Sequence, residues 1–186
     1  MKRLGRKKGS TSAETKARII ESAQICFSRD GYAHSVIRKI AKEARVSEGL
    51  ILAYFDSKVD LFSVALSELI KKANLTTSLK SGFKDTTEIF PRDGAPHWAQ
   101  MIAHSIGDPD ARSATAQLLA EHVLIPASTE TSGPGSTFQA QRVLLLAVGF
   151  ATMKILHDQN GWSSGQHTMF AEWLAAILQA PGVPPL

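Results

Sequence analysis

The feature that most constrains this fold lies between residues 35 and 55, where two short apolar segments are joined by a tight turn. In the first segment, from Ile37 to Ala41, apolar residues recur at helical spacing, and Ser35 is placed to cap its N-terminus. The pattern then breaks, and Ser47 can cap a second helix. This arrangement predicts a helix-turn-helix, whose second helix can enter a DNA major groove.

Within the second helix, Val46, Ile51 and Phe55 are spaced to pack against a neighbouring helix. The opposite face is then free to meet another surface. The candidate DNA contacts are Ser35, Arg38, Arg45, Ser47, Glu48, Gly49, Leu50, Ala53, Tyr54 and Lys58. Of these, Arg38, Arg45 and Lys58 are expected mainly to contact phosphates, since cations bind the backbone without reading its sequence.

Three segments carry a resemblance to a known family: ARIIESAQICFSRDGY, SVIRKIAKEARVSEG and ILAYFDSKVDLF. Their anchors include Ile40-Ala41, Val46-Ser47-Glu48-Gly49 and the Phe-x-x-Lys-x-x-Leu pattern that begins at Phe55. Over roughly residues 14–66 the chain thus resembles the DNA-binding domain of the TetR family of bacterial transcription regulators. The resemblance implies a homodimeric regulator, more often a repressor, whose heads bind a palindromic operator and whose body senses a small molecule.

The chain departs from the family pattern at three positions of the motif. Leu52 stands where the family usually has a Tyr whose hydroxyl reaches a phosphate, and Val36 stands where a hydroxyl side chain is common. Arg45 occupies the turn position where the family usually has Gly, which reaches left-handed conformations cheaply. We interpret these differences as altered DNA contacts, with Arg45 as a possible additional cation near DNA.

Charge is divided unevenly along the chain. Residues 1–75 hold 15 Lys or Arg against 8 Asp or Glu, whereas the remainder holds 6 against 9. A basic N-terminal part fits a phosphate-binding head on a body that need not touch DNA. We therefore expect a flexible basic arm at 1–10, a helix-turn-helix domain at 11–56, and a helical body for ligand binding and dimerisation at 57–186.

The sequence excludes several classes of protein. A single cysteine, Cys26, precludes an intramolecular disulfide and is expected to be a buried, inert thiol. No secretory signal follows the charged N-terminus, and the apolar run at 143–151 is too short to span a bilayer, so we expect a cytoplasmic protein without a membrane partner. The six His residues form no compact metal-binding array, and no nucleophile elbow, P-loop or GxGxxG occurs. Neither enzymatic activity nor a cofactor is expected.

The rest of the chain predicts an all-α architecture, because no alternating strand pattern appears. Capping boxes are expected at Thr11-x-x-Glu14 and Ser57-x-x-Asp60, and Gly31 is expected to end the first helix. The further expected elements are a short helix or irregular connection at 74–96, helices at 97–106 and from Asp108-Pro109 to about Val123, a loop at 125–137, and helices near 138–159 and 166–179.

The last two helices are richer in apolar residues than a single core stripe requires. The family resemblance implies that they pair between two chains as a four-helix bundle, although internal packing alone would also use them. The candidate effector-binding residues are Trp98, Met101, Ile102, His104, Gln117, Leu118, His122, Phe150, Met153 and Met169. The same side chains would equally fill a dry core.

Two other functions stay open from the sequence. The chain could be a structural DNA-binding protein that recognises charge and shape without an inducer. It could also be a ligand-binding or enzymatic protein with a vestigial head. A short protected palindrome would favour the operator-binding regulator over both.

Overall fold

The computed structural model describes residues 11–74, 97–130 and 136–158, together with residues 165, 169, 172, 173 and 176. Every regular element in these ranges is helical, which confirms the all-α prediction. Several predictions fall outside the described residues: the arm at 1–10, nearly all of the connection at 74–96, part of the loop at 125–137, and most of the helix at 166–179.

Helix α1 spans Ser12–His34 and begins with the predicted capping box. The Glu14 backbone N–H donates to Thr11 Oγ1 at 3.2 Å, and the Thr11 N–H donates back to the Glu14 carboxylate at 2.8 Å. The backbone leaves the helical region at Gly31, with φ 74° and ψ 171°, where the sequence predicted the end of the helix. One more turn nevertheless follows to His34, so Gly31 marks a kink in α1 and not its end.

Helices α2, Ile37–Ala44, and α3, Glu48–Tyr54, form the predicted helix-turn-helix. Ser47 caps α3 as expected, accepting a hydrogen bond from the Leu50 N–H at 3.2 Å. The turn between the two helices is completed by Arg45, which has the left-handed conformation with φ 54° and ψ 46°.

Ser35 does not cap α2, so this prediction is wrong. The N-cap position belongs to Val36, whose side chain offers no acceptor. Ser35 is fully buried behind α1, where its hydroxyl donates to the Cys26 carbonyl oxygen at 3.0 Å. Because the hydroxyl is buried and already bonded, Ser35 is also not available to DNA in this conformation.

Helix α4 spans Lys58–Ala73 and leads from the head into the body. Ser57 accepts a hydrogen bond from the Asp60 N–H at 3.1 Å, which is the first half of the predicted capping box. The Asp60 carboxylate accepts from the N–H of Asp56 instead of Ser57, also at 3.1 Å. Left-handed Asn74, with φ 49°, closes the helix.

The described part of the body consists of α5, His97–Ser105; α6, Pro109–Leu119; a π-helical turn, Ala120–Leu124; α7, Ile125–Glu130; and α8, Ser136–Asp158. Asp108 caps α6 as predicted, because its carboxylate accepts from the N–H groups of Asp110 and Ala111. The predicted loop at 125–137 is wrong for Ile125–Glu130, which is helical. Pro126, which has no N–H to donate, is the second residue of α7 and follows directly on the π-helical turn.

One hydrophobic core runs from the head into the body, with α1 packed against both α4 and α5. At its centre the Phe62 ring meets the Phe27 and Tyr32 rings edge to face, with centroids 5.2 and 5.4 Å away. Cys26 is fully buried beside them, and burial raises the pKa of its thiol. A buried thiol of raised pKa is unreactive, in agreement with the expectation for Cys26.

Candidate nucleic-acid interface

Helix α3 has one buried face and one exposed face. Ile51 and Phe55 are buried in the core, and Val46 packs against it. With 3.6 residues per turn, Gly49 and Ala53 lie nearly opposite Ile51. The exposed residues of the helix and its cap are Ser47, Glu48, Gly49, Leu50, Leu52 and Ala53. All of the predicted groove residues except Tyr54 therefore belong to this accessible face.

Tyr54 is half-buried, and its hydroxyl is engaged within the head. Its Oη lies 2.8 Å from the Ser12 hydroxyl and also donates to the Ser12 carbonyl oxygen at 3.3 Å. These bonds join the C-terminal end of α3 to the first turn of α1. Tyr54 thus supports the position of α3, a role that the sequence pattern did not reveal because the two residues are far apart in the chain.

The turn of the motif carries backbone strain at Arg45. An L-residue in the left-handed region costs roughly 1–2 kcal/mol, and the family's usual Gly would avoid that cost. The Arg18 guanidinium donates from Nε to the Ala44 carbonyl oxygen at 2.9 Å, which ties the end of α2 to α1. The Arg45 side chain itself is exposed, so a cation stands at the turn.

The cations around the motif divide into free and paired groups. Lys39 Nζ lies 2.8 Å from the Asp30 carboxylate, and Arg29 Nη2 lies 3.0 Å from the same carboxylate. The hydrogen bond from Arg29 and that from Lys39 hold the pKa of Asp30 below its ordinary value. Arg38 and Lys42 are exposed on α2, four residues apart and therefore on one face of that helix. They add positive charge to the motif that is available to a phosphate.

Two of the departures from the family pattern place apolar groups on the surface of the motif. Val36 is 54% exposed and Leu52 is 56% exposed. Neither side chain can donate to a phosphate. Exposed methyl groups can instead contact the C5-methyl group of thymine in the major groove.

Lys58 lies at the start of α4 and is turned towards α1. Its Nζ donates to the Tyr32 carbonyl oxygen at 3.0 Å and sits 3.9 Å from the centroid of the Tyr32 ring. The ammonium therefore makes a hydrogen bond and a cation–π contact within the protein. Its predicted contact with a phosphate would have to share the ammonium with these partners.

The candidate effector residues occupy different environments. Trp98, Met101, Ile102 and Phe150 are buried in the core, whereas Gln117, Met153 and Met169 are exposed and the remaining candidates are half-buried. Gln117 donates to the Glu121 carboxylate at 2.9 Å on the surface. Met153 lines a groove along α8, and Gln117 and Leu118 line a second one between α4 and α6.

Three polar side chains of this set stand out within the part of the body that the structure describes. Trp98 Nε1 is buried without a hydrogen-bond acceptor. His122 Nε2, on the π-helical turn, lies 3.1 Å from the Ser67 hydroxyl on α4. Burial lowers the pKa of His104, which favours its neutral form. The His122 bond links the body directly to α4.

An open apolar groove of about 620 Å³ runs along α8. Its lining residues are Leu124, Gln141, Leu144, Leu145, Val148, Gly149, Thr152 and Met153. Leu145 is 73% exposed and Leu156, farther along the helix, is 58% exposed. Large apolar side chains thus continue along an uncovered side of α8, and a contiguous exposed patch of this kind is typical of an interface.

The order of the helices defines a class of protein in which a helix-turn-helix domain is joined through α4 to a helical body. Residues 19–65 match the family model described as bacterial regulatory proteins, tetR family. The chain is 46% identical over 54 residues to the HTH-type transcriptional repressor SCO4008 of Streptomyces coelicolor, a match that covers 29% of this chain and 28% of that protein. The family match thus covers the helix-turn-helix head, where the sequence motifs predicted it.

Solved structures extend the fold comparison beyond the head. A transcriptional regulator from Rhodococcus sp. Rha1 superposes with a TM-score of 0.60 at 19% identity, covering 94% of this chain and 100% of that one. The fatty acid degradation regulator FadR of Bacillus halodurans gives 0.61 at 18% identity, covering 94% and 97%. At these identities the comparison shows that the fold is shared.

The described residues contain no group of three or more His, Cys, Asp or Glu side chains placed to hold a metal ion. None of the described helices is both long and apolar enough to cross a membrane.

Proposed function

We propose that this protein is a cytoplasmic transcriptional repressor that binds a palindromic operator as a homodimer. The observation that carries the proposal is the exposed face of α3, which has Gly49 and Ala53 at its centre, while Ile51 and Phe55 fix the helix from behind. A helix anchored in this way can enter the major groove.

Phosphate binding is assigned to exposed cations of the motif, above all Arg38 and Arg45. Each phosphate contact releases a counterion, so Arg38→Ala should weaken binding to every duplex and reduce the slope of log K against log salt by about 1. Arg112→Ala, which removes an exposed cation on α6, is the matched control. An Arg38→Ala variant with the wild-type slope would remove Arg38 from the interface.

Base recognition is assigned to Glu48, Leu50 and Ala53 on α3. A carboxylate accepts from the cytosine amino group, whereas an amide can also donate. Glu48→Gln keeps the shape of the side chain, so it should change the preferred base at one position of each half-site and leave the salt slope unchanged. Sequence selection from random duplexes, carried out with the wild type and with Glu48→Gln under identical conditions, measures the change in preferred base.

Dimerisation is assigned to the uncovered side of α8, together with the exposed side chain of Trp173, which is 53% accessible. A partner chain would cover Leu145 and Leu156 and fill the groove. In a two-fold dimer the two α3 helices would meet half-sites about 34 Å apart or a multiple of that distance. Light scattering that found a monomer with intact operator binding would refute this arrangement.

Effector binding is proposed for the body, with an apolar ligand that carries a hydrogen-bond acceptor. The support is the unpaired Trp98 Nε1 among buried apolar side chains, since a buried donor without a partner is costly. The His122–Ser67 bond offers a path from the body to α4. A ligand releases DNA only if it binds the DNA-incompatible arrangement more tightly, so operator DNA must weaken its binding by the same factor.

Thermal-shift screening for ligands, followed by titration of each hit with and without operator DNA, tests the proposed effector binding and its coupling to DNA. A hit whose affinity is identical in both titrations would exclude induction by that ligand. The alternative, a structural DNA-binding protein without an inducer, predicts diffuse protection of DNA instead of one short palindrome.

A further inference from the structure

Three helices meet at a single residue, Tyr32. Its carbonyl oxygen accepts from Lys58 Nζ at the start of α4, at 3.0 Å. Its backbone N–H donates to the Ser105 hydroxyl at the end of α5, also at 3.0 Å. The backbone N–H of Tyr32 is thus satisfied by a side chain of α5. Its carbonyl oxygen, which also accepts from the Ser35 N–H at 3.3 Å, is bonded to a side chain of α4.

The preceding residue makes this meeting possible. Gly31 has φ 74°, a conformation that L side chains rarely adopt, and a Cβ atom built there would collide with the backbone of His104. The backbones of α1 and α5 therefore approach more closely than any other residue would permit. That approach places the Tyr32 N–H within reach of Ser105.

Lys58, Tyr32 and Ser105 together form a joint between the head and the body. The joint is rigid because its polar bonds are covered by apolar packing. Tyr32 is 6% exposed and Ser105 is 2% exposed. The Tyr32 ring meets the Phe62 ring of α4 edge to face, and Lys58 Nζ lies against the ring of Tyr32. A hydrogen bond in such a setting is expensive to break, because the Tyr32 N–H would be left buried and unpaired.

We infer that Lys58 and Ser105 are positioning residues for DNA binding, which hold the head at a fixed angle on the body through Tyr32. The inference rests on the proposed function, because the angle matters only if two heads in a dimer must reach two half-sites. It replaces the phosphate contact expected for Lys58. The ammonium of Lys58 acts on the Tyr32 carbonyl and ring, and its effect on DNA passes through the orientation of α3.

A positioning residue and a phosphate contact predict different binding behaviour. Loss of a phosphate contact weakens full sites and isolated half-sites alike and lowers the salt slope by about 1. Loss of the joint leaves the surface of each head intact, so a half-site duplex is bound as before. The full palindrome binds more weakly, because the loosened heads must be fixed again when both half-sites are engaged.

The experiment uses the full chain and the palindrome that it selects from random duplexes, beside a duplex carrying one half-site. Lys58→Met and Ser105→Ala should each weaken full-site binding by about tenfold, the effect of one lost hydrogen bond of ordinary net strength. Half-site binding should stay within about twofold and both salt slopes should match the wild type, since no phosphate contact is removed. Lys58→Arg should restore full-site binding, and Lys72→Met, which removes an exposed cation at the other end of α4, is the control.

Other outcomes overturn the inference separately from the proposed function. A lower salt slope with equal losses at full and half-sites would identify Lys58 as a phosphate contact. A lower melting temperature with unchanged affinity of the folded protein for both duplexes would leave only a structural role. If Ser105→Ala does not fold, Lys58→Met alone decides between these outcomes. A wild-type chain that selects no palindrome would instead refute the proposed function.

Discussion

Replacing Arg45 by Gly should stabilise the protein and weaken its binding to DNA. Arg45 is held at φ 54° in the turn between α2 and α3, where its exposed side chain is proposed to meet a phosphate. Strain at a functional site is retained when the side chain is needed there. The two effects of this one substitution should therefore have opposite signs.

The magnitude follows from the backbone conformation. Relief of the left-handed conformation gains roughly 1–2 kcal/mol, whereas the greater freedom of Gly in the unfolded chain costs about 0.4–1 kcal/mol. The net gain in the free energy of unfolding is then about 0–1.6 kcal/mol, which corresponds to at most about 6 °C in Tm for a chain of this size. Loss of one cation should reduce the salt slope of DNA binding by about 1.

Two matched variants separate strain from charge. Arg45→Ala keeps the Cβ atom and removes the cation, so it should weaken DNA binding without the gain in stability. Arg45→Lys keeps both, so it should resemble the wild type in both assays. Chemical denaturation and DNA titration over a salt series provide the measurements. If Arg45→Gly is no more stable than Arg45→Ala, the turn is not strained as described. A wild-type salt slope in both Arg45→Gly and Arg45→Ala would refute the phosphate contact.

Three further predictions concern the body and the edge of the head. Gly149→Asp should convert a dimer into monomers in light scattering, because it places a charge in the apolar groove of α8. The single chain should tolerate the change, since a Cβ at Gly149 meets no atom within 4 Å. Arg112→Asp should leave the dimer intact. Trp98→Phe should leave the Tm of the free protein nearly unchanged, since relief of the unpaired N–H offsets lost packing, but weaken an acceptor-bearing ligand about tenfold in calorimetry. Asp30→Asn should destabilise the protein at neutral pH, and the difference should shrink as pH falls below 3.8, because the hydrogen bond from Arg29 lowers the pKa of Asp30 in the folded state. A constant difference from pH 7 to pH 2 would contradict the last of these.

Local signals in the sequence were sufficient to predict three helix caps, two in the head and one in the body. The caps at Thr11, Ser47 and Asp108 depend on residues two or three positions away, so a sequence pattern contains the whole interaction. Ser35 was assigned wrongly because its hydroxyl had a second partner, the Cys26 carbonyl, that only the folded core brings within reach. The helix at 125–130 was missed because proline and hydroxyl residues also favour loops.

Contacts between distant parts of the chain were not predictable in this way. Ser105 and Tyr32 are separated by 73 positions, and nothing in the local pattern at either residue indicates their hydrogen bond. The same is true of Tyr54 and Ser12. The sequence placed Tyr54 on the DNA side from helical spacing and Lys58 from its charge at the start of a helix, whereas the structure gives both of them partners inside the protein. Spacing along a helix identifies its faces but not the neighbour that each face meets.

The most direct test of the central claim is a footprint of the full chain on the duplex that it selects from the genome of its source. The account predicts protection of one short palindrome, with half-sites one helical turn or a multiple of it apart. Arg38→Ala should lower the affinity for that palindrome, and Glu48→Gln should change the protected sequence. Diffuse protection that ignores sequence, or selection of no DNA at all, would contradict operator binding through α3.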